Sequence, residues 1–476
     1  MDTRAEKGRM GGDVSRRAFV KGAALASLFA GGGCASVLSS RSPNSMLCHA
    51  CIGTANMAGY DMERFLANPR VKVVALCDVD AAFLAAARKK APDARIYHDW
   101  RELLSVEGDR IDSLNVSTPD HTHAAIAASA MRAGKHVYCQ KPLCKYLDES
   151  ALLRGLADSS GVVTQLGTQL AASVCDRTAV KALRAGVIGP VKRVMMFSTR
   201  GGKSRAERAV PEPMPVPATL DWDKWIGPAP MRPYSKIYHP LLWRMFTDFG
   251  SGWVGDLCIH VTSAVWQGMD LGSTMPLSVR ADVNASALSN PAYRGCWPRY
   301  SHITWEFPGV KASGGNPFTM EWFSGFSDAP AAPAEFLPPE VCLEVCRKAG
   351  IGKLPYEGRV IEGEAGWLLV PHGWDKGLRP SIVMRGGRTS PALPAAGDAQ
   401  NHFDEFALRC LEGGRARSDF SWTTRMMDAV LLGGVAERLP ERRHVWNDSS
   451  RSFDTAEATA MLKSSYRKGW EIPGLA

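Results

Sequence analysis

The chain has 476 residues, 45% hydrophobic and 22% charged, with a formal charge of +9 at pH 7. That length suffices for two or three domains with a sizeable core, and the composition is that of a soluble globular protein. One third of the surplus charge, +3, falls in residues 1–40. The rest shows no basic runs interleaved with aromatics, so no nucleic-acid partner is expected.

The first forty residues read as a signal peptide and linker. "SRRAFVK" (15–21) precedes the short run "GAALASLFAGGG", and an arginine pair before such a run is the pattern of a bacterial twin-arginine export signal. The run is too short and too rich in glycine to span a bilayer comfortably. Cys34 follows three glycines, where a lipid-anchored cysteine would stand after cleavage. The mature protein is therefore expected in the periplasm or elsewhere outside the cytoplasm. Twelve cysteines in such a protein raise the question of disulfides. Cys48 and Cys51 lie in the strand-like "MLCHACIG", where positions three apart face opposite ways. Cys342 and Cys346, one helical turn apart, read as small apolar residues. No Cys/His group has zinc spacing, so neither a metal nor a dense disulfide framework is expected.

From residue 46, short apolar runs alternate with amphipathic ones: "MLCHACIG", "DMERFLANP", "VKVVALCDVD", "AAFLAAARKKA", "IDSLNVSTPD", "HAAIAASAMRAG", "KHVYCQKPL", "DESALLRGLADSSG" and "VVTQLGTQ". This rhythm predicts an α/β fold with a doubly wound parallel sheet, a Rossmann dinucleotide-binding domain over 45–168. After Gln169 the chain is richer in Trp, Pro and Gly and carries longer strand-like runs such as "VKRVMMFSTRG" and "HITWEFPG". A second α/β domain with an open, mainly antiparallel sheet is expected over 169–476.

In a doubly wound sheet a dinucleotide binds where the first strand turns into the first helix. "CIGTANMAGYD" (51–61) occupies that place. Gly53 is the tight-turn glycine, but Ala55 and Ala58 stand at the second and third glycine positions. Asp78 ends the second strand, close to where a carboxylate grips the adenosine ribose, which favours NAD over NADP because a 2′-phosphate would be repelled. "NVSTPDHTH" (115–123) is a strand-end loop entering a helix. Its polar groups, His121 and His123 included, are expected near the cofactor or capping backbone, rather than forming a metal site with Asp120. Lys141 ends a further strand and is fixed by Pro142. A lysine above a nicotinamide can donate to a substrate oxygen as a hydride leaves the carbon. Asp256 and His260 are four apart, on one helical face. Such a histidine can take a hydroxyl proton while the carboxylate orients it or touches the sugar; a helix-surface ion pair is the competing reading.

In order and spacing, "STPDHTHAAIAASAMRAGKHVYCQKPL", "TQLGTQ", "LDWDKWIGPAPMRPY", "YHPLLWRMFTDFGSGWVGD" and "CIHV" resemble the Gfo/Idh/MocA oxidoreductases, the family of glucose–fructose oxidoreductase and inositol dehydrogenase. The resemblance covers nearly all of the chain after the signal. It implies NAD as cofactor, with NADP as the alternative, a carbohydrate or polyol substrate, and a homo-oligomer, dimer or tetramer, formed through the second sheet. The family's "EKP" lysine falls on Lys141, with Gln140 in place of the glutamate, and its D-x-x-x-H falls on Asp256 and His260. By resemblance, Lys141 and His260 handle the hydroxyl proton and its oxygen, while Asp256, Trp243 and Arg244 hold the sugar. The cofactor would meet Gly53, Thr54, Ala55, Asn56, Met57, Asp78, Ser117, Thr118, Pro119, His121, His123, Gln140, Lys141 and Gln169.

Export narrows the function. Free nicotinamide cofactor is scarce outside the cytoplasm, so a tightly held cofactor reduced and reoxidised within one enzyme is expected. One such enzyme oxidises a sugar or polyol hydroxyl and returns the hydride to another carbonyl. The other resembles the family's NAD-dependent glycosidases, in which transient oxidation permits elimination of the glycosidic bond. A non-catalytic, exported sugar-binding protein is the alternative that the two alanines leave open.

Overall fold

Six short strands form the first sheet: β1 (Leu47–Ile52), β2 (Val71–Cys77), β3 (Arg95–Tyr97), β4 (Ser113–Val116), β5 (His136–Cys139) and β6 (Thr164–Leu166). They are all parallel, in the order β3-β2-β1-β4-β5-β6. β1, β4 and β5 are buried along nearly their whole length, as strands covered on both faces must be. The connecting helices are α1 (Met57–Leu66), α2 (Ala81–Arg88), α3 (Trp100–Glu107), α4 (Asp120–Arg132) and α5 (Leu147–Ser159). Asp80 and Asp99 cap α2 and α3 by accepting from the backbone N–H of Ala82 (2.9 Å) and Arg101 (2.8 Å). Strand order reverses between β1 and β4, so the crevice at their carboxyl ends is the switch point where such folds bind ligands. The computed structural model describes residues 46–198, 210–284, 289–293, 295–324, 332–372, 379–387, 389–390, 393–397 and 400–475. The arginine pair, the apolar run and Cys34 lie outside the described residues.

The second sheet has ten strands: β7 (Val191–Ser198), β8 (Ser278–Val283), β9 (Ser301–Phe307), β10 (Phe318–Ser324), β11 (Glu357–Gly363), β12 (Gly366–Pro371), β13 (Ser381–Met384), β14 (Thr389–Ser390), β15 (Arg443–Asn447) and β16 (Ser452–Phe453). Their order is β14-β13-β12-β11-β7-β10-β9-β8-β15-β16. All neighbours are antiparallel except β7 and β10. The fold is thus the parallel Rossmann sheet joined to a mostly antiparallel one that the sequence predicts.

The α-helices after β6 are α6 (Val174–Arg184), α7 (Trp222–Ile226), α8 (Ile259–Gly268), α9 (Glu340–Lys348), α10 (His402–Glu412), α11 (Phe420–Arg438) and α12 (Ala456–Ala460). Side chains on the second sheet alternate between two cores. Val194, Met196, Trp322, Ile361 and Leu368 join the large core that includes α4, α8 and α11. Met195, Phe197, Phe323, Val360 and Leu369 point the other way and are covered by Cys342, Val345 and Cys346 of α9. Both cysteines are fully buried there, and all described cysteines are free. Among the described residues no group of His, Cys, Asp or Glu could hold a metal ion.

The late chain returns to the first sheet. Phe403 and Phe406 of α10 pack edge-on against Phe65 of α1, with ring centroids 5.3 and 6.0 Å apart. Such pairs are worth about 0.5–1.5 kcal/mol each beyond their area burial. The segment after Leu462 crosses back as well: Arg467 N–H donates to the Pro228 carbonyl (3.0 Å) and Arg132 to that of Pro473 (2.5 Å).

Candidate active site

Gly53 leaves β1 with φ +89°, and its N–H donates to the Cys77 carbonyl (2.8 Å). A Cβ at this position would lie 2.5 Å from the backbone oxygen of Ser117, so only glycine lets β1 turn this close to the end of β4. No side chain caps α1, so its N-terminus meets the cleft uncapped, although the Ala58 N–H is taken by the Ala55 carbonyl (3.0 Å). Asn56, immediately before α1, is held at φ 54°, ψ −121°, a region glycine prefers. Asn56→Gly is therefore expected to stabilise the protein by about 1 kcal/mol. A lower denaturant midpoint for that variant would show that the asparagine side chain contributes more than its backbone strain costs.

The turn opens onto a cleft between the two sheets. Asp78 lies on its wall, but its carboxylate first holds the turn. One oxygen accepts from Thr54 N–H (2.9 Å) and Thr54 Oγ1 (2.8 Å), and the other from Asp80 N–H (3.0 Å). Three of roughly four acceptor positions are thus used, leaving one for a ribose hydroxyl. Beyond Asp78 the wall is built by His98, Trp100, Lys224 and Trp470. Trp470, from the returning C-terminal segment, is gripped by the Arg101 guanidinium, 4.1 Å from its ring centroid, and by Arg467 at 5.6 Å. Removing a large aromatic wall from this end should loosen a bound dinucleotide. Trp470→Ala is expected to speed cofactor loss on dilution by about fivefold, measured by nicotinamide content after timed gel filtration. Unchanged retention would place Trp470 outside the binding surface.

The opposite end gathers the charged groups. Lys141 Nζ, at the end of β5, donates to the Asp256 carbonyl (2.9 Å) and forms an ion pair with the Asp256 carboxylate. Arg244 Nε lies 3.9 Å from the same carboxylate, and its guanidinium stacks 4.2 Å over the Trp243 ring. Asp256 sits in a π-turn (Val254–Cys258) that runs directly into α8, where hydrogen bonds skip one residue more than in an α-helix. Asp256 and His260 are each 7% exposed, so a helix-surface ion pair does not describe them. The Asp256 carboxylate serves Lys141, while the His260 ring lies 5.5 Å from that of the fully buried His372. Asp120, at the first position of α4, also lines the cleft and accepts from Ser251 N–H (3.0 Å). Burial pushes its carboxyl up to about 7, opposed chiefly by the positive charge of Arg244.

Of the residues expected from the sequence, Gly53, Thr54, Ala55, Asn56, Met57, Asp78, Ser117, Thr118, Pro119, Gln140, Lys141, Gln169, Trp243, Arg244, Asp256 and His260 all line this cleft. His121 and His123 do not. The first four residues of α4 wind half their side chains away from the cleft. His121 is buried between Trp225 and Phe249, with Nε2 bonded to the Trp225 carbonyl (3.0 Å). His123 lies between the carbonyls of Pro142 (2.7 Å from Nδ1) and Thr118 (2.8 Å from Nε2), and its single N–H donates to one of them. Burial holds both well below the usual histidine range, at about 3 and about 4, so both are neutral struts at pH 7. Trp470, Trp100, Lys224 and His239 are wall residues that no short motif announces.

A nicotinamide dinucleotide fits this set: a glycine turn that a Cβ would fill, an uncapped helix N-terminus, an acid at the end of β2, and a lysine at the far end of one continuous cleft. Fold and site together define a dinucleotide-binding protein of the Rossmann class. Residues 48–168 match the model of an oxidoreductase family with an NAD-binding Rossmann fold, and residues 179–304 match that family's C-terminal alpha/beta domain, together just over half of the chain. The chain belongs to the Gfo/Idh/MocA oxidoreductase family.

Among curated relatives, levoglucosan dehydrogenase of Pseudarthrobacter phenanthrenivorans is 29% identical over 196 residues, 41% of each chain. A glycosyl hydrolase family 109 protein of Streptomyces niveus is 42% identical over 107 residues, 21% of each chain. The matched segments thus span less than half the length of these relatives. A solved levoglucosan dehydrogenase, in complex with NADH and levoglucosan, shares the fold at a TM-score of 0.55 and 17% identity, covering 83% of this chain and 98% of that one.

Proposed function

We propose that this protein is an exported oxidoreductase that acts on a hydroxyl of a sugar, glycoside or polyol and keeps its nicotinamide cofactor through the catalytic cycle. The observation that carries the reading is the meeting of Lys141, from the first sheet, with Asp256 and Arg244 at the end of the cleft that begins at Gly53. When bound, NAD supplies the acceptor for the hydrogen leaving the carbinol carbon. The chain's residues bind the sugar and manage the proton. His260 takes the hydroxyl proton, and Lys141 Nζ donates to the oxygen as it becomes a carbonyl. Asp256 holds Lys141 through two acceptors, and Arg244, flat on Trp243, offers its outward donors to ring hydroxyls. The arginine pair at 16–17 and Cys34 support secretion with or without a lipid anchor; cell fractionation with the pair replaced by lysines tests it.

The deciding experiment is to purify the folded protein, denature it, and assay the supernatant for nicotinamide by absorbance and mass spectrometry. Stoichiometric NAD is expected. An empty protein that also ignores added NAD and NADP would overturn the reading in favour of a sugar-binding protein.

A second reading has its own support. The Streptomyces relative is a glycosyl hydrolase, and Asp120 adds a carboxyl near neutrality to the same wall. In a redox glycosidase that carboxyl would protonate the departing glycosidic oxygen. Cleavage of aryl glycosides without any added acceptor selects this reading, and its absence with turnover of a free sugar selects the first.

A further inference from the structure

Behind the cleft floor, a buried polar chain runs through the first sheet to the root of Lys141. The His49 ring bonds Ser113 Oγ (2.8 Å) and Asn115 Oδ1 (3.1 Å), and Asn115 Nδ2 donates to Ser117 Oγ (2.7 Å). Ser117 Oγ in turn donates to Asp61 Oδ2 (2.7 Å), and Gln140 Nε2 donates to both Asp61 oxygens (3.0 and 2.8 Å). The other end of the Gln140 amide, Oε1, accepts from the backbone N–H of Lys141 (3.3 Å). Asp61, on the second turn of α1, is fully buried and thus ties the ends of β4 and β5 together from below. A Cβ at Gly167 would lie 2.8 Å from Gln140 Oε1 and 3.0 Å from its Cα, so a residue without a side chain at 167 leaves room for the glutamine.

This arrangement gives the glutamine a physical reason. An ionised Asp61 accepts hydrogen bonds only, so its neighbour must be a donor. A glutamate at position 140 would set two carboxylates about 3 Å apart in a buried site, where both cannot ionise. We propose that Asp61 is a positioning residue for Lys141, acting through the Gln140 amide on the lysine's backbone. Gln140 and Asp61 are then a matched pair, and either may be exchanged only with the other. Burial pushes the Asp61 carboxyl up to about 7, against hydrogen bonds from Ser117 and Gln140 and the positive charge of Lys141, so the three groups are coupled. The inference rests on reading Lys141 as the residue that faces the substrate oxygen.

The test is competitive acetylation of the full-length, purified protein with acetic anhydride, read at Lys141 by peptide mass spectrometry. It requires neither substrate nor turnover. Asp61→Asn weakens the hold on the Gln140 amide and loosens the root of the lysine, so Lys141 should be acetylated about fivefold faster at fixed pH. Lys145, four residues on and donating to the Thr247 carbonyl (2.6 Å), is the internal control, because a general loosening of the fold would expose it equally. The exchanged pair, Asp61→Asn with Gln140→Glu, rebuilds an amide–carboxylate contact with the roles reversed and should return the Lys141 rate toward that of the native protein. Acetylation of Lys141 that is unmoved by Asp61→Asn, or that rises in step with Lys145, would overturn the proposal. So would an exchanged pair that behaves no better than Asp61→Asn alone. If Lys141→Ala leaves turnover intact, the functional reading fails while the labelling result still stands, so the two failures are distinguishable.

Discussion

Lys141→Ala is expected to lower turnover by about 10²–10⁴ while the purified protein keeps its full complement of nicotinamide. Lys141 is the group able to donate to a substrate oxygen that is fixed from both sides, by the Asp256 carbonyl and by the Asp256 carboxylate. Arg244 cannot take its place. It approaches Asp256 only to 3.9 Å and is committed to the Trp243 ring. Lys141→Arg is also expected to fail, since a planar guanidinium cannot present a point charge from the same stem. The assay is single-turnover reduction of the bound cofactor by a series of sugars, with thermal midpoints as a check on folding. Turnover within twofold of the native protein would remove Lys141 from the chemistry. Loss of nicotinamide along with turnover would make it a binding residue instead.

Gly53→Ala should be the most damaging single change in the turn. The φ of +89° costs about 1–3 kcal/mol for any residue with a Cβ. The added methyl would also meet the Ser117 oxygen at 2.5 Å, and Ser117 belongs to backbone that cannot retreat, because its N–H is bonded to the Ile52 carbonyl (2.9 Å). The turn must therefore shift, and with it the start of α1. The expected result is a protein with a lower denaturant midpoint and almost no released nicotinamide. Ala55→Gly and Ala58→Gly, by contrast, should keep the cofactor. A Gly53→Ala protein that retains stoichiometric nicotinamide would show that the dinucleotide binds elsewhere.

The first sheet is legible in the sequence because strands covered on both faces are mostly apolar, as "VKVVALC" is apart from the exposed Lys72, and because Gly53 and Gly134 mark turns where φ is positive. Lys141, Asp256 and His260 are legible because each sits in a local pattern: a strand end before proline, or a four-residue spacing on a helix. The pairing within that group is not. The spacing suggests that Asp256 orients His260 or touches the sugar, and does not disclose that the long-range approach of β5 also brings Lys141 onto its carboxylate. His121 and His123 show a related limit. The motif marks a loop entering a helix, but which way α4 is rotated depends on Trp225 and Phe249, more than a hundred residues later. Asp61 reads as one polar residue of an amphipathic helix, since its partner Gln140 lies 79 residues away. Trp470 owes its place to Arg101 and to the returning chain, a closure no local pattern can encode.

The helix α9 has a consequence for how copies of the chain can associate. Strand-to-strand stacking of two second sheets would need bare apolar strands, yet Met195, Phe197, Phe323 and Val360 are already sealed beneath Cys342, Val345 and Cys346. The outward side of α9 carries exposed Glu340, Glu344, Arg347 and Lys348. A second molecule arriving at this face meets a charged ridge, so any assembly formed there should weaken as ionic strength rises, where an apolar sheet interface would tighten.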